Sequence, residues 1–464
     1  QYTIKLKPDA KGVVHAPRRL PASLKERTIQ KLSEMERNKI LAKVEQPTEW
    51  VNSMVVTLRN DKIRICIDPK ELNEAMKREH HPMHTIEEVV AEIPGAKVFS
   101  VLDAKSGFHQ IKLDEESSYL TTFNTPVGRY RWLRLPFGLK CAPEIFQRIM
   151  DQMLEGIQGA YAIVDDILIA GQTVQQHNQI LTQVIERATS YNLKLNLQKC
   201  KIRQPQVSYV GLVLTAEGLK PDPAKIAAIR DKPTPQNRED IKRFLGMVTY
   251  LGKFVQNLSD VSAPLRNLLK EETEFQWLTT PELAFTKLKE LCTKPPVLGY
   301  FDASKPVEIH SDASQSGLGA VLFQEGRPLA YTSRAITSTK TRYAQIEKEM
   351  LSIVHACKKF HCYIFGKETK VFNDHKPLEQ IFKKPLLAAP MRLQRMLMSL
   401  QWYDITVSYK PGKEMLAPDT LSRAYLPDMQ PEISNLEQVN ALEYLSITKE
   451  RYMQLSQSNK CEFA

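Results

Sequence analysis

Two adjacent aspartates, Asp165 and Asp166, interrupt an apolar stretch that reads YAIV before them and ILIA after them. Asp is rare in strands and neighbouring like charges repel, so the pair indicates either a solvent-exposed acidic β-turn or a divalent-metal site. The apolar run VFSVL, which ends in Asp103, favours the metal site. Two-metal phosphoryl transfer needs carboxylates fixed on neighbouring strands. The chain is therefore expected to form a sheet in which these three residues lie close together.

Length and charge limit the function classes. The 464 residues predict about three domains, and the formal net charge of +11 favours a polyanionic partner, with nucleic acid first. No apolar run is long enough to span a membrane, and no signal peptide is visible. Seven scattered cysteines predict a reduced protein without a disulfide framework. The chain begins at Gln1, which predicts a piece cut from a longer precursor.

The chain reads as alternating strand and helix patterns. An amphipathic helix is predicted from Ser23 to about Lys43, and the region 221–295 reads as short helices broken by prolines. After Pro295 the pattern changes to strands at 306–313, 317–323, 328–333, 368–374 and 403–409, with a helix over about 341–363 between the third and the fourth. A cluster of His355, Cys357, His361 and Cys362 lies on that helix and matches no zinc-site spacing, so no metal is expected there.

A second set of carboxylates is spread over the last third of the chain. Asp312 lies in an alternating strand, and Asp374 ends another strand. Glu349 falls at the rim of the apolar face of the predicted helix, whereas Glu347 points away, and a carboxylate near a core needs a partner such as a metal. Asp419 begins the last predicted helix. Taken singly each is as consistent with a structural role, but together they indicate a second two-metal site.

These motifs make the chain similar to the reverse transcriptase–ribonuclease H (RNase H) segment of the Pol polyprotein of Gypsy-type (Metaviridae) long-terminal-repeat retrotransposons. The resemblance covers about residues 15–425, and it is carried by KIRICIDPKELN, VFSVLDAKSGFHQIKLDEES, TTFNTPVGRYRWLRLPFGLKCAPEIFQRIM, IVDDILI and YVGLVLTAEGL. It implies an α+β multidomain fold, a right-hand polymerase followed by an α/β RNase H-like domain with a mixed sheet. The implied parts are fingers and palm (1–220), helical thumb (221–297), RNase H-like domain (298–427) and a tail or tether (428–464).

The resemblance also implies roles for single residues. Asp103 and Asp165 would be the main Mg²⁺ ligands of the polymerase site and Asp166 a supporting charge. The nucleotide-binding positions would be Arg59 and Arg64 at the triphosphate, Phe108 as the steric gate against ribose, and Phe137 and Gly138 lining the pocket. The positions contacting nucleic acid would be Val210 and Gly211 at the primer end and Lys242, Arg243 and Lys253 in the thumb. The alternatives are solvated surface charges for the basic residues and an ordinary core position for Phe108.

The RNase H set implied by the family is Asp312, Glu349, Asp374 and Asp419. Two departures from the family pattern stand out. Ile163 occupies the place where such enzymes often carry Tyr, two residues before Asp165, which predicts altered fidelity or nucleotide affinity rather than lost activity. The loop YKPGKEMLAPD lacks the His that some RNase H enzymes use, which predicts altered proton transfer or product release.

The function implied is RNA- and DNA-directed DNA synthesis together with degradation of RNA in RNA–DNA hybrids. Two Mg²⁺ ions per active site are expected, with Mn²⁺ as a substitute. The expected partners are an RNA template, RNA–DNA hybrid, DNA duplex, tRNA or another primer, dNTPs and an integrase in the precursor, with no membrane and a monomeric or homodimeric state. The expected location is cytoplasmic virus-like particles, and later the nucleus. The alternatives are a nucleic-acid-binding scaffold with silent sites and an RNA-dependent RNA polymerase, which Phe108 and the RNase H domain disfavour.

Overall fold

The computed structural model describes residues 1–59, 61–254, 258–271, 273–293, 296–314, 317–337 and 339–411. Asp419, the last predicted helix and the tail 428–464 lie outside these residues. Among the described helices, none combines the length and the apolar content needed to cross a bilayer.

The region that contains the first three carboxylates alternates strands with helices. Its helices are α1 (Ala22–Arg37), α2 (Lys70–Ala75), α3 (Ile86–Ala91), α4 (Glu115–Leu120), α5 (Ala142–Leu154) and α6 (Val174–Ser190). Its strands are β1 (Leu41–Val44), β2 (Ser53–Arg59), β3 (Lys62–Asp68), β4 (Val98–Asp103), β5 (Phe123–Thr125), β6 (Gly128–Trp132), β7 (Ala160–Ile163), β8 (Asp166–Gly171), β9 (Lys201–Gln204), β10 (Gln206–Tyr209), β11 (Leu212–Thr215) and β12 (Gly218–Pro221).

The central sheet has the strand order β7-β8-β4-β9, and β4 runs antiparallel to β8. Side chains alternate across it, because successive residues of a strand point to opposite faces. Ile167 and Ile169 of β8 pack into one hydrophobic cluster, and Leu168 and Ala170 pack into another. Both faces are therefore covered, which explains why β8 reads as a continuous apolar run.

The β2–β3 hairpin stands apart as a two-stranded sheet, and β1, β6 and β5 form a separate three-stranded sheet. The predicted helix over 23–43 ends earlier, at Arg37, and the chain continues into β1. The break is at Lys39, whose φ of 53° is incompatible with a helix. Strand β1 is then fixed by its pairing with β6, from Leu41 opposite Trp132 to Val44 opposite Arg129.

A helical region follows the three-stranded β10-β11-β12 sheet. It consists of α7 (Pro223–Arg230), α8 (Arg238–Tyr250), α9 (Leu258–Asn267) and α10 (Thr279–Thr293). Phe244 of α8 packs on Phe285 of α10 with ring centroids 4.5 Å apart. These helices share one hydrophobic cluster with the face of the central sheet that carries Leu168.

The last described region is built on a five-stranded mixed sheet with the order β15-β14-β13-β16-β17. Its elements are β13 (Val307–Ala313), β14 (Gly317–Gln324), β15 (Arg327–Ala335), α11 (Gln345–Lys359), α12 (His361–Ile364), β16 (Thr369–Asn373), α13 (Pro377–Lys383), α14 (Met391–Leu400) and β17 (Ile405–Tyr409). Strand β13 pairs antiparallel with β14 and parallel with β16, as the predicted mixed sheet requires. Helix α11 packs on β13 and β14 through Met350 and Ile353.

The mixed sheet docks directly on the preceding parts of the chain. Leu298 forms an antiparallel bridge with Leu219 of β12, and the Tyr300 hydroxyl donates to the carbonyl of Thr215 at 2.8 Å. Val321 and Tyr331 of the mixed sheet join the hydrophobic cluster of the helical region. The outer face of this sheet is thus part of a core that it shares with the rest of the molecule.

Candidate active sites

The turn between β7 and β8 brings the first three aspartates together. Asp103 ends β4 directly opposite Asp166 in the strand pairing, and Asp165 lies in the turn itself. The amide of Ala104 donates to the Asp165 carbonyl at 2.8 Å, which fixes the turn against β4. Val164, the first residue of the turn, has a φ of 51°, a conformation that a β-branched residue rarely adopts.

The electrostatics of this cluster suit a cation. Asp165 Oδ1 is buried and has no hydrogen-bond partner. Burial, followed by the charges of Asp166 and Asp103, raises the pKa of Asp165 to about 6. Burial and the Asp103 charge also raise the pKa of Asp166. A divalent cation would satisfy the orphaned oxygen and relieve the repulsion, so the residues present fit a metal.

Lys199 supplies the positive charge that the cluster has in this structure. Its Nζ donates to Asp103 Oδ2 at 2.8 Å, and this hydrogen bond raises the pKa of the lysine. Reasoning from the sequence did not single out Lys199. It lies in the irregular segment before β9, and no periodicity or motif links it to Asp103.

Two of the three aspartates, Asp103 and Asp165, line a cleft of about 1100 Å³. Its basic lining residues are Lys31, Lys62, Arg64, Lys105, Arg134, Lys194 and Lys199. Such a concentration of positive charge beside a carboxylate cluster is suited to a polyphosphate or a nucleic-acid backbone.

Of the predicted nucleotide-binding arginines, Arg64 is exposed on β3 and lines this cleft. The backbone of Arg59 ends β2 opposite Lys62 in the same hairpin. Strand β3 of this hairpin therefore borders the same cleft as Asp165 of the β7–β8 turn.

Phe108 lies in a short 3₁₀ helix that begins at Gly107. Its ring centroid is 5.0 Å from that of Phe137 and 5.8 Å from that of Phe146, and the residue is only partly buried. Phe137 lines the cleft. The neighbouring Gly107 is required by space, because a Cβ there would lie 2.0 Å from Asp165 Oδ1. Phe108 therefore packs on a residue that lines the cleft, and it directly follows the glycine that is packed against Asp165.

Gly138 follows Phe137 with a φ of 112°, and a Cβ at this position would lie 2.0 Å from the carbonyl oxygen of Ile67. The loop that carries Phe137 can therefore pack on β3 only with glycine at this position. Ile163, which stands where related enzymes often carry Tyr, packs against the hydrophobic cluster that the helical region shares with the sheet.

Val210 and Gly211 form the tight turn between β10 and β11, with φ of 47° and 78°. Tyr250 at the end of α8 packs on this turn, and its hydroxyl donates to the Val210 carbonyl at 3.3 Å. The Val210 side chain is 40% exposed.

Lys242 and Arg243 are exposed on α8, and Arg243 lies 3.6 Å from Glu239 and 3.5 Å from Asp240. Lys253 differs from them. Its Nζ lies 2.7 Å from Glu87 Oε1 of α3, so its charge is engaged by a carboxylate.

The second carboxylate cluster forms at one end of the mixed sheet. Asp312 on β13, Glu349 on α11 and Asp374 after β16 offer ligand oxygens that all lie within 4.8 Å of one another. Burial, followed by the Asp312 charge, raises the pKa of Glu349 to about 8. Asp419, the fourth predicted member, lies outside the described residues.

Two amide side chains orient Glu349. Asn373 Nδ2 donates to Glu349 Oε2 at 3.0 Å, and Gln345 Nε2 donates to Oε1 at 2.6 Å. Neither was predicted from the sequence. Gln345 lies one turn before Glu349 on the same helix. Since residues four apart on a helix are neighbours, this contact could have been predicted from the sequence. The contact between Asn373 and Glu349 could be predicted only if the order of the strands in the sheet were known.

Two family models match the chain. One, described as reverse transcriptase (RNA-dependent DNA polymerase), matches residues 53–214, and the other, described as the RNase H-like domain found in reverse transcriptase, matches residues 302–403. The first range contains the three aspartates of the cleft, and the second contains Asp312, Glu349 and Asp374.

Curated relatives align over most of this chain. The retrovirus-related Pol polyprotein from transposon 297 of Drosophila melanogaster is 35% identical over 366 residues, which are 78% of this chain and 34% of that protein. The corresponding polyprotein from transposon gypsy is 34% identical, over 80% of this chain and 37% of its own length. The transposon Tf2-3 polyprotein of Schizosaccharomyces pombe is 30% identical, with coverages of 85% and 30%. The chain thus spans about a third of the length of these relatives.

Solved structures share the fold. The foamy viral protease-reverse transcriptase in complex with an RNA/DNA hybrid superposes with a TM-score of 0.78 at 20% identity, over 92% of this chain and 56% of that one. The same viral protein in complex with dsDNA gives a TM-score of 0.76 at 20% identity, over 88% of each chain. The arrangement of polymerase-like region, helical region and mixed sheet is therefore common to both proteins.

Proposed function

The chain belongs to the reverse transcriptase–RNase H segments of the Pol polyproteins of Gypsy-type long-terminal-repeat retrotransposons, and on this premise we propose that it synthesises DNA on RNA and DNA templates and cuts the RNA strand of the resulting hybrid. The observation that carries the proposal is the pair of separate carboxylate clusters, one in a basic cleft and one at the end of the mixed sheet. We assign fingers and palm to residues 1–220, the thumb to 221–297, the RNase H-like domain to 298–427 and a tether to 428–464.

Each cluster would hold two Mg²⁺ ions, with Mn²⁺ as a substitute. Asp103 and Asp165, supported by Asp166, would be the ligands in the palm. The orphaned Oδ1 of Asp165 supports this assignment. When bound, the ions supply charge neutralisation at the phosphate and activation of the attacking oxygen. Lys199 pairs with Asp103 Oδ2 at 2.8 Å and would adjust the charge of the site.

The chain's own residues position the substrates of DNA synthesis. Arg64 and Arg59 on the β2–β3 hairpin would contact the triphosphate of the incoming dNTP, and the loop of Phe137 and Gly138 would line its pocket. The Phe108 ring would fill the space of a ribose 2′-hydroxyl and so select deoxynucleotides. The primer end would rest on the Val210–Gly211 turn, and exposed basic residues of α8 such as Lys242 and Arg243 would contact the backbone.

In the RNase H-like domain, Asp312, Glu349 and Asp374 would hold the ions together with Asp419. Gln345 and Asn373 orient both oxygens of Glu349, so the carboxylate is fixed before any substrate arrives. Binding of the hybrid would follow its shape rather than its sequence, since A-like duplexes hide their major-groove edges.

The proposed partners are an RNA template, the RNA–DNA hybrid, the DNA duplex, a tRNA or other primer, and dNTPs. The basic cleft supports a polyanionic ligand. We further propose that the chain acts as a monomer or homodimer within cytoplasmic virus-like particles, later in the nucleus, and that it is joined to an integrase in the precursor. The lengths of the Pol relatives support a longer parent protein.

The test is primer extension on an end-labelled RNA template with Mg²⁺ and dNTPs, following both strands. We expect extension together with template shortening. Asp165→Asn should abolish extension while leaving cleavage of a preformed hybrid, and Asp312→Asn should do the reverse, so each variant is the control for the other. DNA synthesis by Asp165→Asn would contradict the palm assignment. Tight, salt-sensitive hybrid binding without either activity would instead favour the scaffold with silent sites.

A further inference from the structure

Helix α5 presents one polar flank to the segment that joins α2 to α3. Arg78 Nε donates to Glu144 Oε1 at 2.7 Å, and one turn further along the helix Arg148 Nε lies 3.5 Å from Glu79 Oε2. The signs of these two pairs alternate, so the segment is held on α5 in a single register.

The flank ends in Asp151, which faces two histidines of the same segment. His81 Nε2 lies 2.7 Å from Asp151 Oδ2, and His84 Nε2 lies 3.4 Å from Asp151 Oδ1. A carboxylate only accepts hydrogen bonds, so His81 carries a proton on Nε2 in this contact. Asp151 is thereby fixed from outside the helix.

Gln147 lies on this flank one turn before Asp151 and is fully buried. Its Oε1 accepts from the amide of Val164 at 2.8 Å, and its Nε2 donates to the carbonyl of Ala162 at 2.8 Å. One side chain thus bonds the backbone of the β7–β8 turn on both sides of Ile163, immediately before Asp165.

The same amide is oriented by Asp151. Gln147 Nε2 also donates to Asp151 Oδ1 at 2.8 Å. If the amide rotated by half a turn, its oxygen would face the Asp151 carboxylate and the Ala162 carbonyl, and its NH₂ group would face the Val164 N–H. Asp151 therefore selects the one orientation that can bond the turn.

The turn needs such support, because Val164 adopts a φ of 51°. A β-branched residue in the left-handed region persists only where its surroundings over-determine it. The Gln147 carbonyl oxygen is the hydrogen-bond partner of the Val164 amide. Losing it would leave a partly buried donor without its partner in a strained turn.

We propose that Gln147, oriented by Asp151 and through it by His81, is a positioning residue that holds the turn carrying Asp165 and Asp166 in its metal-binding geometry. The inference rests on the proposed polymerase function for its catalytic consequence. It also makes the segment Arg78–His84 part of the support of the active site, although none of its residues lines the cleft.

The first test compares Gln147→Leu with Gln152→Leu in the full chain. Gln152 has an exposed side chain on the same helix, so it is a matched control. In the metal-free protein, amide hydrogen exchange of the peptide spanning Ala162–Asp166 should accelerate only in Gln147→Leu. In extension assays kcat should fall about 10- to 100-fold, because a displacement of about 1 Å suffices for such a loss. The Mg²⁺ concentration for half-maximal rate should rise, whereas partial unfolding would lower the amplitude alone.

The second test uses charge exchange and stays informative if Gln147→Leu folds poorly. Gln147→Glu retains an acceptor for Val164, but it loses the donor to the Ala162 carbonyl and places a second carboxylate against Asp151, and only the second defect can be repaired at Asp151. Adding Asp151→Asn supplies a donor to the new carboxylate and leaves an acceptor for His81. We expect the double variant to recover about tenfold in kcat over Gln147→Glu. No recovery would overturn the orientation of Gln147 by Asp151.

The outcomes separate the inference from the function it rests on. A wild-type chain that fails to extend primers would refute the proposed function, and the exchange experiment would still decide whether Gln147 holds the turn. A wild-type chain that extends primers, with Gln147→Leu equal to Gln152→Leu in exchange, kcat and Mg²⁺ requirement, would refute the positioning role. Cleavage of a preformed hybrid, which uses the second cluster, should stay at the wild-type rate in all variants.

Discussion

Burial and neighbouring charge act strongly on one carboxyl group in each cluster, Asp165 in the first and Glu349 in the second. Their pKa values rise to about 6 and about 8, in both cases first because of burial and then because of a neighbouring aspartate. Metal binding to each cluster must therefore displace protons near neutral pH, which makes it pH-dependent.

A stability prediction follows for Glu349. The folded metal-free chain retains this proton up to about pH 8, whereas the unfolded chain releases it near its ordinary pKa of 4.5. The folded state binds more protons between these values, so this group makes stability fall as pH rises from about 5 to about 8. We expect the metal-free Tm to decrease over this range, and added Mg²⁺ to raise it more at about pH 8 than at about pH 6. A Glu349→Gln variant should flatten the profile, and an unchanged profile would contradict the assignment.

Phe108 gives a prediction about sugar selection. Phe108→Val removes the ring beside the aspartates, and the incorporation of ribonucleotides relative to deoxynucleotides should rise about tenfold or more. The measurement is kcat/KM for a dNTP and the matching rNTP in single-nucleotide extension. Phe108→Tyr keeps the ring and should keep the selection. Equal selection in the wild type and in Phe108→Val would show that Phe108 is an ordinary core residue.

Some residues of the first site could be predicted from the sequence, and others could not. Asp103, Asp165 and Asp166 were predictable as a group because acidic residues at the ends of apolar strands are rare. Lys199 and Gln147 act through contacts with segments far away in sequence, and a lysine or a glutamine in an ordinary pattern gives no signal. Their roles needed coordinates.

Secondary-structure elements show a similar division. The strands of the mixed sheet were predicted within a few residues, because alternating apolar patterns bounded by glycine or polar turns are explicit in the sequence. The end of one helix and the start of another were not predicted. Helix α1 ends at Arg37, before a turn without Gly or Pro, and α11 begins at Gln345 rather than near 341. In both cases the charged pattern continues through the boundary. The pairing of β1 with β6 fixes the chain after α1, whereas α11 begins after a short 3₁₀ helix over Lys340–Arg342, where the Glu347 carboxylate accepts from the Ala344 amide at 3.0 Å.

The β10–β11 hairpin carries a prediction about an element. Both turn residues have positive φ, the pattern of a type I′ turn, which favours Asn-Gly over Val-Gly. Val210→Asn should therefore raise the free energy of unfolding by about 1 kcal/mol by relieving backbone strain. If the exposed Val210 side chain contacts the primer, the same variant should give shorter products in extension with a competitor trap.

The control for this variant is Val127→Asn. Val127 lies in the β5–β6 turn and is 43% exposed, but its φ is outside the left-handed region. It should gain no stability and keep its product length. Unchanged product length in Val210→Asn would show that the Val210 side chain does not contact the primer, whatever its effect on stability.

At the scale of the whole molecule, Glu87 of α3 joins three regions of the chain. It pairs with Lys253, beside a cavity of about 250 Å³ that is also lined by Phe301, Lys359 and Tyr363. Burial is the largest single effect and raises the pKa of Glu87. The charge and the hydrogen bond of Lys253, together with a backbone hydrogen bond and the charge of Lys359, outweigh it, so the net pKa is lowered. The polymerase-like region, the helical region and the mixed sheet thus meet at one ion pair.

This arrangement predicts that the two active sites keep a fixed separation. Lys253→Ala would leave the Glu87 carboxylate half-buried without its main partner and loosen the junction. On a template with a stalled primer, RNA cuts by the wild type should cluster at one distance from the primer end, and the variant should spread them over a wider range. Lys287→Ala, an exposed lysine on α10, serves as control. An unchanged cut distribution in Lys253→Ala would show that the ion pair does not set the spacing.

The core shared between the mixed sheet and the rest of the molecule also has a consequence for biosynthesis. Val321 and Tyr331 belong to a cluster that also contains Leu219 of β12 and Phe254 of the helical region, and β15 packs on the segment Gly252–Phe254. The ribosome synthesises the three aspartates of the first cluster long before it reaches Tyr331. Until then the nascent chain displays an uncovered apolar surface, of the kind that chaperones bind. A premature stop codon before Tyr331 would accordingly yield an aggregation-prone product rather than a trimmed polymerase.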